Sequence, residues 1–319
     1  MAKKTKSLFI VGGVLISIGL ILALISLISN DFKILGFDKS TYVTNTHTIH
    51  ESFDDIIINS DTADIEFLVS LDGQTKVECF ELENETHEVS VQNGKLNINV
   101  INNKKWYEFI GINFKTPKIK IYLNKFAFNT LMISENTGDI NILNNFSFAN
   151  INILASTGNV YCYSSGCELT KIYSSTGNIE LIGAQSKTID INTSTGNINL
   201  NNVNSTSIKI DSSTGNTTLT NVSTFELNSN ASTGDITLNN VIGSKFLIER
   251  STGDVVFNKC DGDELTITTD TGDVTGTFLS NKVFMYETDT GDVILPSAMS
   301  GGKCVITTDT GDIKISIVS

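Results

Sequence analysis

Hydrophobic and polar residues alternate along most of the chain with a period of two, which is typical of β-strands that bury one face. A Thr-Gly-Asp or Thr-Gly-Asn triplet recurs every 19 or 20 residues and interrupts this alternation. A degenerate earlier copy lies at residues 61–65. A fixed period of this kind indicates a repeat architecture. The glycines of the triplets are Gly138, Gly158, Gly177, Gly196, Gly215, Gly234, Gly253, Gly272, Gly291 and Gly311.

The copies can be aligned on this glycine. The residues two and four positions after it are mostly aliphatic, as in Ile198 and Leu200, and a second apolar pair follows, as in Ile208 and Ile210. A unit of 19 residues is too short for a βαβ unit, in which an α-helix connects two parallel strands. The coils must therefore stack, and each strand must pair in parallel with its counterpart in the neighbouring coil. The sequence therefore predicts an all-β fold, a single-stranded parallel β-helix (a β-solenoid) in which the glycine permits a tight corner and the following Asp or Asn caps it.

The start of the chain predicts a membrane anchor. Residues 8–28 carry no charge and follow Lys3, Lys4 and Lys6. As a helix they span about 30 Å, the thickness of the hydrocarbon core of a bilayer, and the run is longer than the apolar core of a signal peptide. The positive-inside rule places residues 1–7 in the cytoplasm and the solenoid outside the cell. We therefore expect a single-pass protein of the cell membrane, with a linker at 29–44, irregular coils at 45–130 and regular repeats at 131–319.

The charge balance excludes one class of partner. The chain has 22 Lys and Arg against 35 Asp and Glu, a formal net charge of −13. A basic groove for nucleic acid is incompatible with this balance, so no nucleic-acid partner is expected. Arg250 is the single arginine, and it replaces a small residue at a position of inward parity. We interpret it as a structural side chain rather than a catalytic one.

The chain has five cysteines, and the register of the repeat predicts the environment of three of them. Cys162, Cys260 and Cys304 fall in inward columns and are predicted to be small core residues. Cys79 lies in the irregular part. Whether Cys162 pairs with the nearby Cys167 is left open by the sequence.

Metal binding has two candidates. The last corners read Asp-Thr-Gly-Asp, which places two ladders of carboxylates about 4.8 Å apart, a ligand type that suits Ca²⁺. The alternative is that these aspartates bind no metal, and that they stabilise the turns and keep the surface soluble. His47 and His50 form an HxxH pattern, but on a strand the two rings point to opposite faces. The calcium candidates are Asp270, Asp289 and Asp309 in one ladder and Asp273, Asp292 and Asp312 in the other.

The chain resembles the bacterial β-strand-repeat family known as "putative adhesins", a domain family of unknown function. The likeness covers about residues 45–319 and rests on 54–67 (DDIIINSDTADIEF), the turn at 94–96, 118–140 and the run of STGD and STGN coils. It implies a right-handed parallel β-helix and supplies no catalytic residues. Asn124 stands where the family commonly has proline.

The function expected from these features is non-enzymatic: adhesion or scaffolding at the cell envelope. Cell-wall glycan, an envelope protein and further copies of the chain are the expected partners, and no cofactor other than Ca²⁺ is indicated. Self-association is expected at the last coil, where 313–318 is predicted to be an unpaired edge strand. The alternatives are a sensory or regulatory subunit of an envelope stress response and, third, a β-helix enzyme acting on polysaccharide.

Overall fold

A computed structural model describes residues 16–22, 41–102 and 115–318. Residues 16–22 form a helix. Within the described ranges, no helix combines the length and apolar character that crossing a bilayer requires. Most of the span predicted at 8–28 lies outside the described residues, so the anchor remains a prediction.

The rest of the described chain is β-structure that forms one continuous sheet. Its strands are β1 Tyr42–Ile49, β2 Asp55–Thr62, β3 Asp64–Val69, β4 Thr75–Leu82, β5 Glu85–Gln92, β6 Lys95–Asn102, β7 Lys118–Leu123, β8 Ala127–Thr137, β9 Ile140–Ile142, β10 Ser147–Thr157, β11 Val160–Cys162, β12 Ser165–Thr176, β13 Ile179–Ile182, β14 Gln185–Thr195, β15 Ile198–Thr214, β16 Thr217–Thr233, β17 Ile236–Thr252, β18 Val255–Cys260, β19 Glu264–Thr271, β20 Val274–Phe278, β21 Lys282–Thr290, β22 Val293–Ile294, β23 Gly302–Thr310 and β24 Ile313–Ile317.

The central coils confirm the predicted solenoid. From β8 to β19 each strand pairs in parallel with its counterpart one coil away. The pairing register advances by 19 or 20 residues, except at the start of the β10–β12 pair, where a bulge follows a register of 18. The aliphatic columns point inward: Ile198, Leu200, Ile208 and Ile210 are at most 1% exposed. Cys162, Cys260 and Cys304 are buried free thiols, as predicted, and Cys162 is therefore not in a disulfide.

The N-terminal end departs from simple stacking. The degenerate repeat in β2 and β3 stacks on β8 and β9, so that Thr62 pairs with Thr137 and Ile65 with Ile140. The later strands β6 and β7 lie outside β2 and β3. Strands β1, β4 and β5 then close this end by antiparallel pairing, β5 on β6, β4 on β7 and β1 on β4. We call β1, β4 and β5 the cap.

The C-terminal end contradicts the prediction of an unpaired last strand. Strand β23 lies between β19 and β21, and β24 lies between β20 and β22. Residues 313–317 are therefore internal, with Ile315 only 4% exposed, and the terminal coil is the earlier one, formed by β21 and β22. The inward residues explain the order. The inserted coil contributes Cys304, Ile306 and Ile313, whereas the terminal coil carries the more polar Tyr286 at the corresponding column.

A buried ammonium group links the reordered coils. Lys282 is 1% exposed, and its Nζ donates to the Asp261 carboxylate and to Ser280 Oγ at 2.6 Å. Its neighbour in the inserted coil is Gly302, which leaves a path free of side chains between Lys282 and Asp261. Burial acts to raise the pKa of Asp261, but the hydrogen bonds from Lys282 and Ser280 outweigh it and lower that pKa.

The corners are held by close backbone contact. A Cβ added at Gly215 would lie 2.1 Å from the Gly196 carbonyl oxygen, and the same contact recurs at each stacked corner. The backbone φ of Gly215 is +137°, a region that side chains disfavour. Glycine is therefore required twice, by the turn and by the stacking distance.

Replacing Gly215 with alanine is expected to lower the free energy of unfolding by about 2–4 kcal/mol, because the added methyl group separates stacked carbonyls. Guanidinium unfolding followed by circular dichroism measures this. Gly94→Ala is the matched control, since Gly94 also has positive φ but open space around its Cβ position. Equal losses in the two variants would show that stacking distance contributes nothing.

Lys282→Met is expected to cost about 1–3 kcal/mol, because it leaves Asp261 without its buried partner. The exposed Lys303→Met is the control and should change stability by less than about 0.5 kcal/mol. The stabilising ion pair should persist above the ordinary pKa of Asp and be lost as pH falls through the lowered pKa of Asp261. A Lys282→Met protein as stable as the control would contradict this role.

Candidate functional site

A buried polar cluster lies between the cap and the first coils. His87 of β5 contacts Glu81 of β4, with Nδ1 2.8 Å from Oε2, and its Nε2 lies 3.2 Å from Ser60 Oγ of β2. The backbone N–H of His87 also donates to Glu81 Oε2 at 2.8 Å. Asn45 of β1 donates to Glu81 Oε1 at 2.6 Å. One hydrogen-bonded chain therefore joins three cap strands to the solenoid.

The cluster also contains a thiol. Cys79 and Glu81 are two residues apart on β4, so both side chains face the interior, and each is at most 1% exposed. One ligand atom each from Cys79, Glu81 and His87 lies within 4.8 Å of the others. Burial and the neighbouring Glu81 raise the pKa of the Cys79 thiol to about 12. The thiol of Cys260, by contrast, lies in the hydrophobic core and donates to the backbone carbonyl oxygens of Leu238 and Asn258.

Glu135 extends the cluster into the solenoid. It pairs in register with Ser60 and its Oε1 accepts from the backbone N–H groups of Thr137, at 3.1 Å, and Ala63, at 3.3 Å. Its Oε2 is buried without a hydrogen-bond partner among the described residues. Burial raises the pKa of Glu135 to about 7, although hydrogen bonds from Ser60 and the backbone oppose the shift.

The column that contains Glu135 continues through the coils with small residues, and a polar groove follows it on the outside. One segment of about 420 Å³ is lined by residues of five successive coils, including Asn192, Asp211, Asn230, Glu249 and Asp270. A second segment of about 250 Å³ lies between Glu135 and Ser194. Hydroxyl, amide and carboxylate groups dominate both linings, so the groove offers many hydrogen-bonding groups to a polar ligand.

Arg250 is buried in the same column, 2% exposed, where the neighbouring coils have Ala231 and Thr269. Its guanidinium donates to Ser229 O and Ser229 Oγ, each at 2.9 Å. Ser229 occupies a column in which the two neighbouring coils have Ile210 and Ile248, and its smaller side chain makes room for the arginine. Desolvation lowers the pKa of Arg250 to about 10. The sequence contained a signal for this contact, because Ser229 and Arg250 each depart from their columns and lie in adjacent coils.

The predicted aspartate ladders are present in a new order because the last two coils are exchanged. Asp312 lies between Asp273 and Asp292, and each backbone N–H donates at 2.8 Å to the carboxylate of the preceding coil. The hydrogen bond from Lys314 lowers the pKa of Asp312. Asp270, Asp289 and Asp309 are exposed at the adjacent column. One carboxylate oxygen of Asp273 and one of Asp312 thus stabilise the corner of the next coil, and calcium binding remains a prediction.

The HxxH pattern does not form a common site. His47 is half-buried on the inner face of β1, and His50 is exposed beyond the end of that strand. The histidine that the structure places in a cluster is His87, which is not part of a short sequence motif. A hairpin centred on Glu83 and Asn84 brings it beside Cys79 and Glu81, so the signal lay in the turn rather than in a short motif.

The chain is similar to one protein family and to several solved structures. A family model described as Toastrack DUF4097 matches residues 53–221 and 204–319. The solved "putative adhesin" of Bacteroides fragilis is 15% identical, with 87% of this chain and 98% of that chain covered and a TM-score of 0.43. A "putative lipid binding protein" of Parabacteroides distasonis is 17% identical, with coverage of 73% and 96% and a TM-score of 0.46. No curated protein matches the chain.

Glu135→Gln is expected to stabilise the protein at pH 8 by up to about 3 kcal/mol, and by less than about 1 kcal/mol at pH 5. The raised pKa means that the folded state prefers the protonated carboxyl, so its contribution to stability falls as pH rises from about 4.5 through 7. The other ionisable groups of the cluster, Cys79, Glu81 and His87, are common to both proteins. Unfolding curves from pH 5 to 8 measure the difference. An exposed control, Glu88→Gln, should follow the wild type, and a Glu135→Gln profile parallel to the wild type would contradict the assignment.

Proposed function

The chain belongs to the Toastrack family, and on that premise we propose that it is a non-enzymatic, membrane-anchored, extracellular β-solenoid that acts in adhesion or as a scaffold at the cell envelope. The anchor in this proposal is the uncharged segment 8–28 with three lysines before it. Its described part, 16–22, supports the idea because every side chain of that helix is exposed and five of the seven are Ile or Leu.

The observation that carries the scaffold role is the terminal coil. Tyr286 and Ile294 are 57% and 62% exposed, and Met285 and Val283, on the same strand as Tyr286, are 47% and 38% exposed. Phe284, Val293 and Leu295 pack against the core from the end and stay only partly covered. Large exposed apolar surfaces of this kind are typical of interaction sites. Strand β21 also has backbone groups on its outer edge that no described strand pairs with.

We take a second copy of the chain as the occupant of this surface. The columns of the terminal coil continue those inside the solenoid, since Phe284 lies in register with Cys304 and Val293 with Ile313. The surface that covers such a coil throughout the molecule is another coil of the same repeat. Two terminal coils related by a two-fold axis would cover each other and close the assembly as a dimer.

The polar groove supports the adhesive half of the proposal. Its lining of Asn, Asp, Ser and Thr side chains repeats along five coils and suits a hydroxyl-rich ligand such as a cell-wall glycan. In this arrangement the anchor lies at one end of the chain and the groove is displayed along the solenoid.

Sedimentation velocity of residues 31–319 over a range of concentrations tests self-association. We expect the wild type to form dimers and Tyr286→Lys to stay monomeric, because a charge at the contact must be desolvated. Phe225→Lys is the matched control, since Phe225 is an apolar residue of similar exposure, 56%, away from the end. A wild type that is monomeric at every concentration would leave only the display role. Dimers that form only with added Ca²⁺ would indicate that the aspartate ladders, and not Tyr286 alone, take part in the contact.

A further inference from the structure

Three side chains of the cap have the composition of a transition-metal site. Cys79, Glu81 and His87 offer sulfur, oxygen and nitrogen within 4.8 Å of one another, and all three are buried. Sulfur and imidazole together favour Zn²⁺ over Ca²⁺ or Mg²⁺, which take oxygen ligands. We propose that these three residues bind a zinc ion beneath the cap, with a fourth position left for water.

The charges of the ligand set match a divalent ion. A thiolate and a carboxylate together balance the two positive charges of Zn²⁺, and imidazole binds in its neutral form. The bound site would carry no net charge, which suits a location where each ligand is at most 6% exposed. Binding requires the thiol proton to leave, so one proton is released to solvent for each ion bound.

The surrounding residues provide the second layer of contacts that metal ligands need. Ser60 Oγ lies 3.2 Å from His87 Nε2, so it can accept that N–H while Nδ1 faces the metal. Asn45 donates to Glu81 Oε1, and the backbone N–H of His87 donates to Oε2. A carboxylate oxygen has two lone pairs, so Oε2, the oxygen nearest His87, keeps one of them for the ion. Outer contacts of this kind orient a ligand and raise its affinity for metal.

The ligands also explain where binding would act. Two come from β4 and one from β5, while the supporting residues come from β1 and β2, so the ion would join the cap hairpin to the first coil. Metal binding to the folded state raises the unfolding temperature by mass action. We therefore expect zinc to stabilise the cap end of the solenoid.

Cobalt is the probe for the test, because Co²⁺ replaces Zn²⁺ and a thiolate ligand produces a charge-transfer absorption band. Titration of the full chain with Co²⁺ under reducing conditions is expected to develop this band with one equivalent, and added Zn²⁺ should abolish it. Cys79→Ala should lose the band. Cys304→Ser, which alters another buried cysteine outside the cluster, should keep it.

A variant that retains all three ligands separates a loss of metal affinity from a loss of folding. Asn45→Ala should weaken Co²⁺ binding by about 10–100-fold, because Glu81 loses its orienting contact, while circular dichroism without metal remains that of the wild type. Absence of the band in the wild type would overturn the proposal. So would a band that survives in Cys79→Ala, or an unchanged affinity in Asn45→Ala.

Discussion

The structure depends on how closely successive corners approach each other. At each repeat the glycine carbonyl of one coil occupies the space that a side chain of the next glycine would need. This contact permits hydrogen bonding between neighbouring coils on both sides of the corner and keeps the period at 19 or 20 residues. A constant period in turn aligns the aliphatic columns inside and the polar ladders outside. Asn and Asp side chains after the glycine strengthen the corner by accepting the next coil's backbone N–H.

The same constraint is weakest at the two ends, and the unusual features of the molecule are found there. A coil inside the stack has a coil of the same repeat on each side, whereas an end coil has one on a single side. At the N-terminus antiparallel strands cover the open side and bring Cys79, Glu81 and His87 together. At the C-terminus no described strand covers β21, and its aromatic and aliphatic residues remain exposed. Chemistry and association are therefore proposed for different ends of one solenoid.

The candidate sites were predictable to different degrees. The positions of Cys162, Cys260 and Cys304 follow from register, because inward parity repeats with the coil. The contact between Arg250 and Ser229 could also have been predicted, since both residues depart from their columns in adjacent coils. The cap cluster was not, because it depends on a hairpin and on Ser60 and Asn45 from two other strands. The exchange of the last two coils was missed because both carry the same Asp-Thr-Gly-Asp corner and either could follow β20.

By itself the sequence determined the coil length, the all-β solenoid and the inward columns, because these depend on a local period that every repeat restates. Tertiary structure alone decided the order of the coils at each end. Coils with the same corner compete for the same position, and the outcome depends on which one buries more apolar surface and on contacts between distant residues, such as Lys282 with Asp261. The cap cluster has the same origin, since its members are brought together by strand pairing rather than by spacing along the chain.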